Sequence, residues 1–224
     1  MRRYLIPLIL GFGGFAVLAA LGVWQLQRLA WKEAILADIE ARIAATPVAV
    51  PAAPDPIADR YLPVSATGDL LGVPIRVLVS TKERGAGYRL VTRFELDGGR
   101  RIMVDEGFVG LDENAMPETA ESVTVTGNLH WPDEVDSWTP DPDQSQGLFY
   151  ARDVDALSKA LGTEPVLLVA RTITGTDPRA TPMPVTSAGV PNNHLGYAIQ
   201  WFGLAAVWLG MTAFLLWRIR KRTI

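Results

Sequence analysis

Two uncharged apolar runs, one near each end, constrain this chain more than any other feature. Leu5 to Leu26 carries no charged residue, and neither does Leu195 to Trp217; all 24 acidic residues lie between them. At 1.5 Å of rise per residue, runs of this length cross a hydrocarbon core of about 30 Å. The second run ends in Arg218-Ile219-Arg220-Lys221-Arg222, a basic terminator that suits a membrane boundary better than the end of a buried core helix. Met1-Arg2-Arg3 and the small residues Ala19, Ala20 and Gly22 resemble a cleaved signal peptide. The apolar run is too long for such a peptide and continues to Trp24, so the expectation is a retained span.

Basic residues set the orientation. Arg2 and Arg3 precede the first run, and Arg218, Arg220, Lys221 and Arg222 follow the second, which places both termini on the cytoplasmic side. The segment between holds 24 acids against 15 bases, a formal charge of −9; a domain of that length translocates largely regardless of its charge. The chain has no cysteine, which excludes disulfides, thiol redox chemistry and covalent haem attachment through C-x-x-C-H. No mitochondrial presequence precedes the first run, and the composition favours Arg, Ala, Gly and Pro. The expectation is a multi-pass protein of a bacterial inner membrane with its central domain in the periplasm.

Along the chain the expected organisation is a transmembrane helix over 5–26, an amphipathic stalk over 27–45 with Leu29, Ile35, Leu36, Ile39 and Ile43 at helical spacing, and a Pro/Ala linker over 46–58. A β-rich domain over 59–176, a second linker over 177–193 and a second transmembrane helix over 194–217 follow. Alternating apolar segments predict strands at Leu62–Leu70, Ile75–Ser80, Tyr88–Leu96, Arg101–Val109, Ser122–Leu129 and Val166–Ile173. Asp97-Gly98-Gly99 marks a hairpin turn. The spacing predicts one helix at Val154–Leu161, with Asp153 as its N-cap and Gly162 as its stop. The fold class expected is therefore a membrane protein, two transmembrane helices flanking a β-rich (α+β) antiparallel domain, sandwich or barrel.

Few residues offer chemistry. The domain has no G-x-S-x-G, no H-E-x-x-H, no P-loop and no dinucleotide fingerprint, and Asp141-Pro142-Asp143 reads as a solvated turn. Of the two histidines, His130 ends a strand before Trp131-Pro132 and reads as an exposed turn residue. His194 opens the second span. It shares a helical face with Tyr197, Trp201 and Trp208 at 100° per residue. By position it is either a helix-entry residue at the interface or an imidazole presented over an aromatic stripe. An interfacial aromatic belt accounts for Tyr197 and Trp201 but less well for Trp208, which falls near mid-bilayer. At the outer end of the first span, Trp24 and Arg28 share a face as i and i+4. They read either as a belt residue with a snorkelling arginine or as a stacking wall with a guanidinium for a carboxylate. Gly11, Gly13 and Gly14 allow close helix approach.

Two segments carry a resemblance to a known family. Gly22-Val23-Trp24-Gln25-Leu26-Gln27-Arg28-Leu29-Ala30-Trp31-Lys32 resembles the first-span signature of the Surfeit locus protein 1 family. Asn192-Asn193-His194-Leu195-Gly196-Tyr197-Ala198-Ile199-Gln200-Trp201-Phe202 resembles its second-span signature. Gly87-Tyr88 and Val104–Val109 are similar to its strand motifs more loosely. The chain departs from the family at Glu106-Gly107-Phe108-Val109, where Arg-Gly-Trp-Val is usual, and at Thr92-Arg93, where Thr-Pro is usual. The resemblance implies an assembly factor for cytochrome c oxidase-type haem-copper terminal oxidases, without enzymatic activity. It implies non-covalent haem a as the bound cofactor, with His194 as the axial ligand of the haem iron; the helical spacing then sets Tyr197, Trp201, Trp24 and Arg28 as the residues expected around the ring. Oxidase subunit I and a haem a synthase are the partners expected, together with membrane lipid and no nucleic acid. The alternative is a haem-free chaperone that holds subunit I during maturation. Further readings, a periplasmic sensor and a haem-modifying enzyme, are disfavoured by the short flanking tails and by the lack of further histidines.

Overall fold

The structure, a computed structural model, describes residues 2–112, 119–177, 179–188 and 190–221. The chain divides into two compact units, one built from Met1–Asp38 with Ser187–Ile224 and one from Ile39–Thr186.

The first unit is a helix pair. Helix α1 runs unbroken over Arg2–Ile43. The apolar run stops at Leu26, yet no Gly or Pro occurs from Val23 to Ala45, so nothing in the backbone ends the helix until Thr46-Pro47. Helix α3 spans His194–Lys221, and the Asn193 carbonyl accepts its first backbone bond, from Tyr197 N–H. Both helices are long and apolar enough to cross a membrane, with mean hydropathy of 2.2 and 1.7 over their best windows, and almost none of either window is buried. A soluble protein would cover such surface, so these helices associate with a membrane. Their contact face sets glycines of α1 against larger side chains of α3. On α1 the shielded positions Gly11, Gly14, Leu18, Gly22, Gln25 and Leu29 recur every three or four residues; on α3 the matching series is His194, Ala198, Trp201, Ala205 and Thr212. A Cβ on Gly11 would lie 2.2 Å from the Thr212 methyl, one on Gly14 2.4 Å from the Trp208 indole, and one on Gly22 2.7 Å from the Phe202 ring. These glycines let the backbones approach. Gly13 meets nothing within 4 Å.

The second unit holds β1 (Pro63–Thr81), β2 (Gly85–Leu96), β3 (Arg101–Gly110), β4 (Ala120–Leu129), the two-residue β5 (Leu148–Phe149), α2 (Val154–Leu161) and β6 (Leu167–Thr174). The strands lie in the order β2-β3-β6-β4-β1-β5, and β1 also pairs with β2. That last pairing closes β1, β2, β3, β6 and β4 into a barrel. Most pairs are antiparallel, but β3–β6 and β1–β5 are parallel, so the sheet is mixed where an antiparallel one was expected. The parallel pairing arises because the chain between β3 and β6 is a long crossover that contains β4, β5 and α2. The segments read as separate strands over 62–70 and 75–80 form one strand, interrupted by an irregularity between Leu71 and Ile75. Gly72, at φ +76°, absorbs that break in a region L side chains avoid.

Alternation along each strand produces two cores. Val64, Leu70, Phe94, Ile102, Val104, Val123, Val125, Leu129, Leu168 and Ala170 fill the barrel. Val77, Val91, Met103, Leu167 and Val169 point outward, where Val154 and Leu157 of α2 cover them. α2 keeps both ends its sequence signals: the Asp153 carboxylate accepts from Asp155 N–H and Ala156 N–H, and Gly162 adopts the left-handed conformation at φ 66°. A cap of this type stabilises a helix by about 1 kcal/mol.

Candidate functional site

The two residues that meet at the outer end of the helix pair are His194 and Gln25. His194 Nδ1 lies 2.7 Å from Gln25 Oε1, and Gln25, three residues before Arg28, is only 9% exposed. The bond engages one ring nitrogen and leaves Nε2 as the other. His194 itself is half-buried, beside Trp201 on the same α3 face, whereas Tyr197 is half-exposed and sits at the margin of that face. Lys32 Nζ donates to the Pro191 carbonyl, which fastens the segment leading into α3 to the next turns of α1.

Trp24 is 49% exposed, so its indole face is open. Arg28 turns the other way along the helix: its guanidinium lies 4.5 Å from the centroid of the Trp31 ring, an i, i+3 cation–π contact in place of the i, i+4 pairing with Trp24. Trp208, hard to explain as an interfacial belt residue, is explained by the helix pair, since its indole Nε1 donates to the Gly11 carbonyl at 3.0 Å. Gln25 stands within the first-span signature, but nothing local in the sequence gives it a role, because its partner lies 169 residues away.

The β-domain has its own cluster of charge. Asp105 is fully buried and accepts from Arg89 Nε at 2.7 Å and Arg152 Nη1 at 3.2 Å. Arg152 also bonds Glu134 through its guanidinium and, at 2.9 Å, through its backbone N–H. Arg89 Nη2 donates to the Met183 carbonyl at 2.8 Å. Burial alone would raise the Glu134 carboxyl, but the bonds and charge of Arg152 outweigh it and hold the pKa below the usual range. A cavity of about 440 Å³ borders this cluster, lined in part by Arg84, Arg89, His130, Arg152 and Met183. Its basic lining suggests an anion site, yet the guanidinium donors of Arg152 and Arg89 are already committed to Asp105, Glu134 and Met183. The arrangement is better read as a lock between the barrel and the segment that descends to α3.

His130 is not the exposed turn residue that its sequence position suggests. It is half-buried, its ring stacks on Tyr61 at 5.4 Å, and its pKa is lowered to about 4, by burial first and then by the charges of Arg152, Arg60 and Arg89. Tyr61, Arg89 and Arg152 reach it from three separate stretches of chain, which its local sequence could not reveal.

At Glu106, where the chain departs from the family pattern, the structure supplies partners for the buried carboxylate. Glu106 is 1% exposed and is bonded by Arg179 and by the Thr92 hydroxyl. Gly107, at φ +119°, could not bear a side chain, because a Cβ would lie 2.1 Å from the Thr181 carbonyl oxygen; Phe108 and Thr181 exchange backbone bonds at the same place. Glu106 and Thr92 are therefore structural fasteners for the descending segment.

Among the described residues, no three His, Cys, Asp or Glu side chains gather as a metal cluster. Iron in a porphyrin takes four ligands from the macrocycle and asks the protein for only one or two axial donors. His194, with Nδ1 bonded to Gln25 and Trp201 on the same face, is an imidazole donor of that kind.

Comparison with known proteins gives a consistent set. The model described as the SURF1 family matches residues 13–206. Surfeit locus protein 1 of Rattus norvegicus is 30% identical over 209 residues, covering 83% of this chain and 68% of the rat protein. Surfeit locus protein 1 of Homo sapiens is 28% identical, covering 83% and 69%. A SURF1-like protein of Monosiga brevicollis is 30% identical, covering 87% and 82%. The match includes both the helix pair and the β-domain.

Proposed function

The chain belongs to the SURF1 family, whose members are cytochrome c oxidase assembly factors, and from that premise we propose that it binds haem a between its two helices and assists its delivery to oxidase subunit I. His194 is the axial ligand of the haem iron in this reading. Trp201 and Tyr197 on α3 and Trp24 on α1 provide flat apolar surface for the ring, and Arg28 meets a propionate carboxylate at the headgroup level. Held non-covalently, haem a would be cargo rather than a reacting group, and the residues here would bind and orient it without making or breaking a bond in it. The protein is not an enzyme in this reading. Its partners in this reading are subunit I and a haem a synthase, in a bacterial inner membrane with the β-domain on the periplasmic side and both termini in the cytoplasm.

The observation that carries the proposal is the state of His194. It is the only histidine of the helix pair, it is half-buried on the face turned to α1, and its Nδ1 is bonded there to the Gln25 amide oxygen. A histidine that merely liked an interface would have no need of a buried cross-helix partner. The test compares two purified proteins from cells that make haem a. The full chain in detergent is expected to carry haem a, and the separate Ile39–Thr186 unit to carry none. Haem on the isolated unit would place the site in the β-domain. A full chain free of haem would favour a structural chaperone that holds subunit I without cargo.

A further inference from the structure

We propose that Gln25 is a positioning residue for His194: by accepting the Nδ1 proton it fixes the imidazole tautomer and leaves the Nε2 lone pair as the iron donor. The inference rests on the haem-ligand reading of His194 and adds a residue on the opposite helix that acts through the imidazole.

A neutral imidazole has one N–H and one lone pair, and only the nitrogen with the lone pair can ligate a metal. The amide oxygen of Gln25 is an acceptor with no proton to give. At 2.7 Å from His194 Nδ1, it demands that Nδ1 carry the proton, which leaves Nε2 unprotonated. The opposite arrangement, with the amide nitrogen donating to Nδ1, would place the proton on Nε2 and block ligation there. Metal-bound histidines generally donate their second N–H to a carboxylate, carbonyl or water that fixes the ring and raises its basicity. Gln25 supplies that group without introducing a charge into the helix pair.

The location strengthens the case. Gln25 lies on the shielded stripe of α1 together with Gly11, Gly14 and Gly22, and all other members of that stripe from Gly11 to Gly22 are apolar. An amide at 9% exposure next to hydrocarbon is costly unless it is bonded, so the residue is explained by its partner and not by packing. The bond also joins the site to both helices. Separation of α1 from α3 would release the ring from its fixed tautomer, which gives a simple way for contact with a recipient protein to loosen the ligand.

The experiment uses full-length protein in detergent, stripped of haem and titrated with haemin, with the spectrum and midpoint potential recorded for each variant. Gln25→Leu, which suits an apolar helix face, is expected to weaken binding by about 10–100-fold. Gln25→Glu, nearly isosteric, is expected to retain haemin with a midpoint potential moved negative, because a carboxylate makes the imidazole a stronger donor. Wild-type affinity and potential in both variants would overturn the role of Gln25. So would weakened binding in Gln25→Leu with an unchanged potential in Gln25→Glu, which would reduce the residue to packing. A separate arm tests the reading beneath it. If His194→Ala binds haemin with wild-type affinity and spectrum, the ligand assignment falls and the positioning role falls with it. If His194→Ala loses haemin while both Gln25 variants behave as wild type, only the positioning role is lost.

Discussion

The imidazole of His130 is held neutral down to about pH 4 by burial and by the charges of Arg152, Arg60 and Arg89. In the unfolded chain it takes up a proton near pH 6.5. Between those values the unfolded state binds a proton that the folded state refuses, so stability is full above pH 6.5 and falls as the pH drops towards 4. The shift corresponds to roughly 3 kcal/mol at face value and about 2 kcal/mol after discounting the partly exposed ring. Glu134, whose pKa is also lowered, loses stability in the same direction at the acid end. Urea unfolding of the Ile39–Thr186 unit at pH 7 and pH 4.5 should show this loss, and His130→Phe, which keeps a ring against Tyr61, should remove most of it. Equal loss in both proteins would assign the acid sensitivity elsewhere. At this scale the sequence was readable where chemistry is local and opaque where it is not. His194 stood out by its place at the mouth of a span. His130 did not, because the groups that set its charge come from distant elements, and the partner of Gln25 lay at the other end of the chain.

Among the elements, α2 was the most legible, since its apolar spacing, its Asp153 cap and its Gly162 stop are all encoded within ten residues. Strands with clean alternation were legible as well. β1 is divided in the sequence pattern because Leu71-Gly72-Val73-Pro74 interrupts the alternation, yet the strand resumes the same pairing with β2 beyond it. β5 is two residues long, too short for any periodicity. Closure of the barrel and the parallel β3–β6 pairing depend on contacts far apart in sequence, which a local pattern does not encode. The helix pair yields a sharp test at this scale. Gly13 and Gly14 are neighbours, but only Gly14 faces the Trp208 indole. Gly14→Leu should cost the pair about 1–3 kcal/mol through overpacking, seen as a lower melting temperature in detergent and reduced haem content, while Gly13→Leu should leave both unchanged. The same loss from either substitution would show that the interface lies on another face.

The whole molecule combines an apolar helix pair with a barrel that carries a buried charge lock, in a family of oxidase assembly factors. The two-span layout was legible from the distribution of charge alone, whereas the locks at Asp105 and Glu106, which fasten the segment entering α3, were not, since each links residues from several strands and loops. The orientation predicts that a reporter active only in the cytoplasm will work at either terminus and fail within 174–193; activity from that linker would reverse it. The central claim is that His194 holds haem iron between the helices, and the absorption spectrum of the full-length protein, purified from cells that make haem a, tests it most directly. Wild-type protein should show bound haem a, and His194→Ala should insert and fold normally but lose most of that haem or show a shifted spectrum as another donor takes the site. A His194→Ala protein carrying normal amounts of haem with an unchanged spectrum would contradict it.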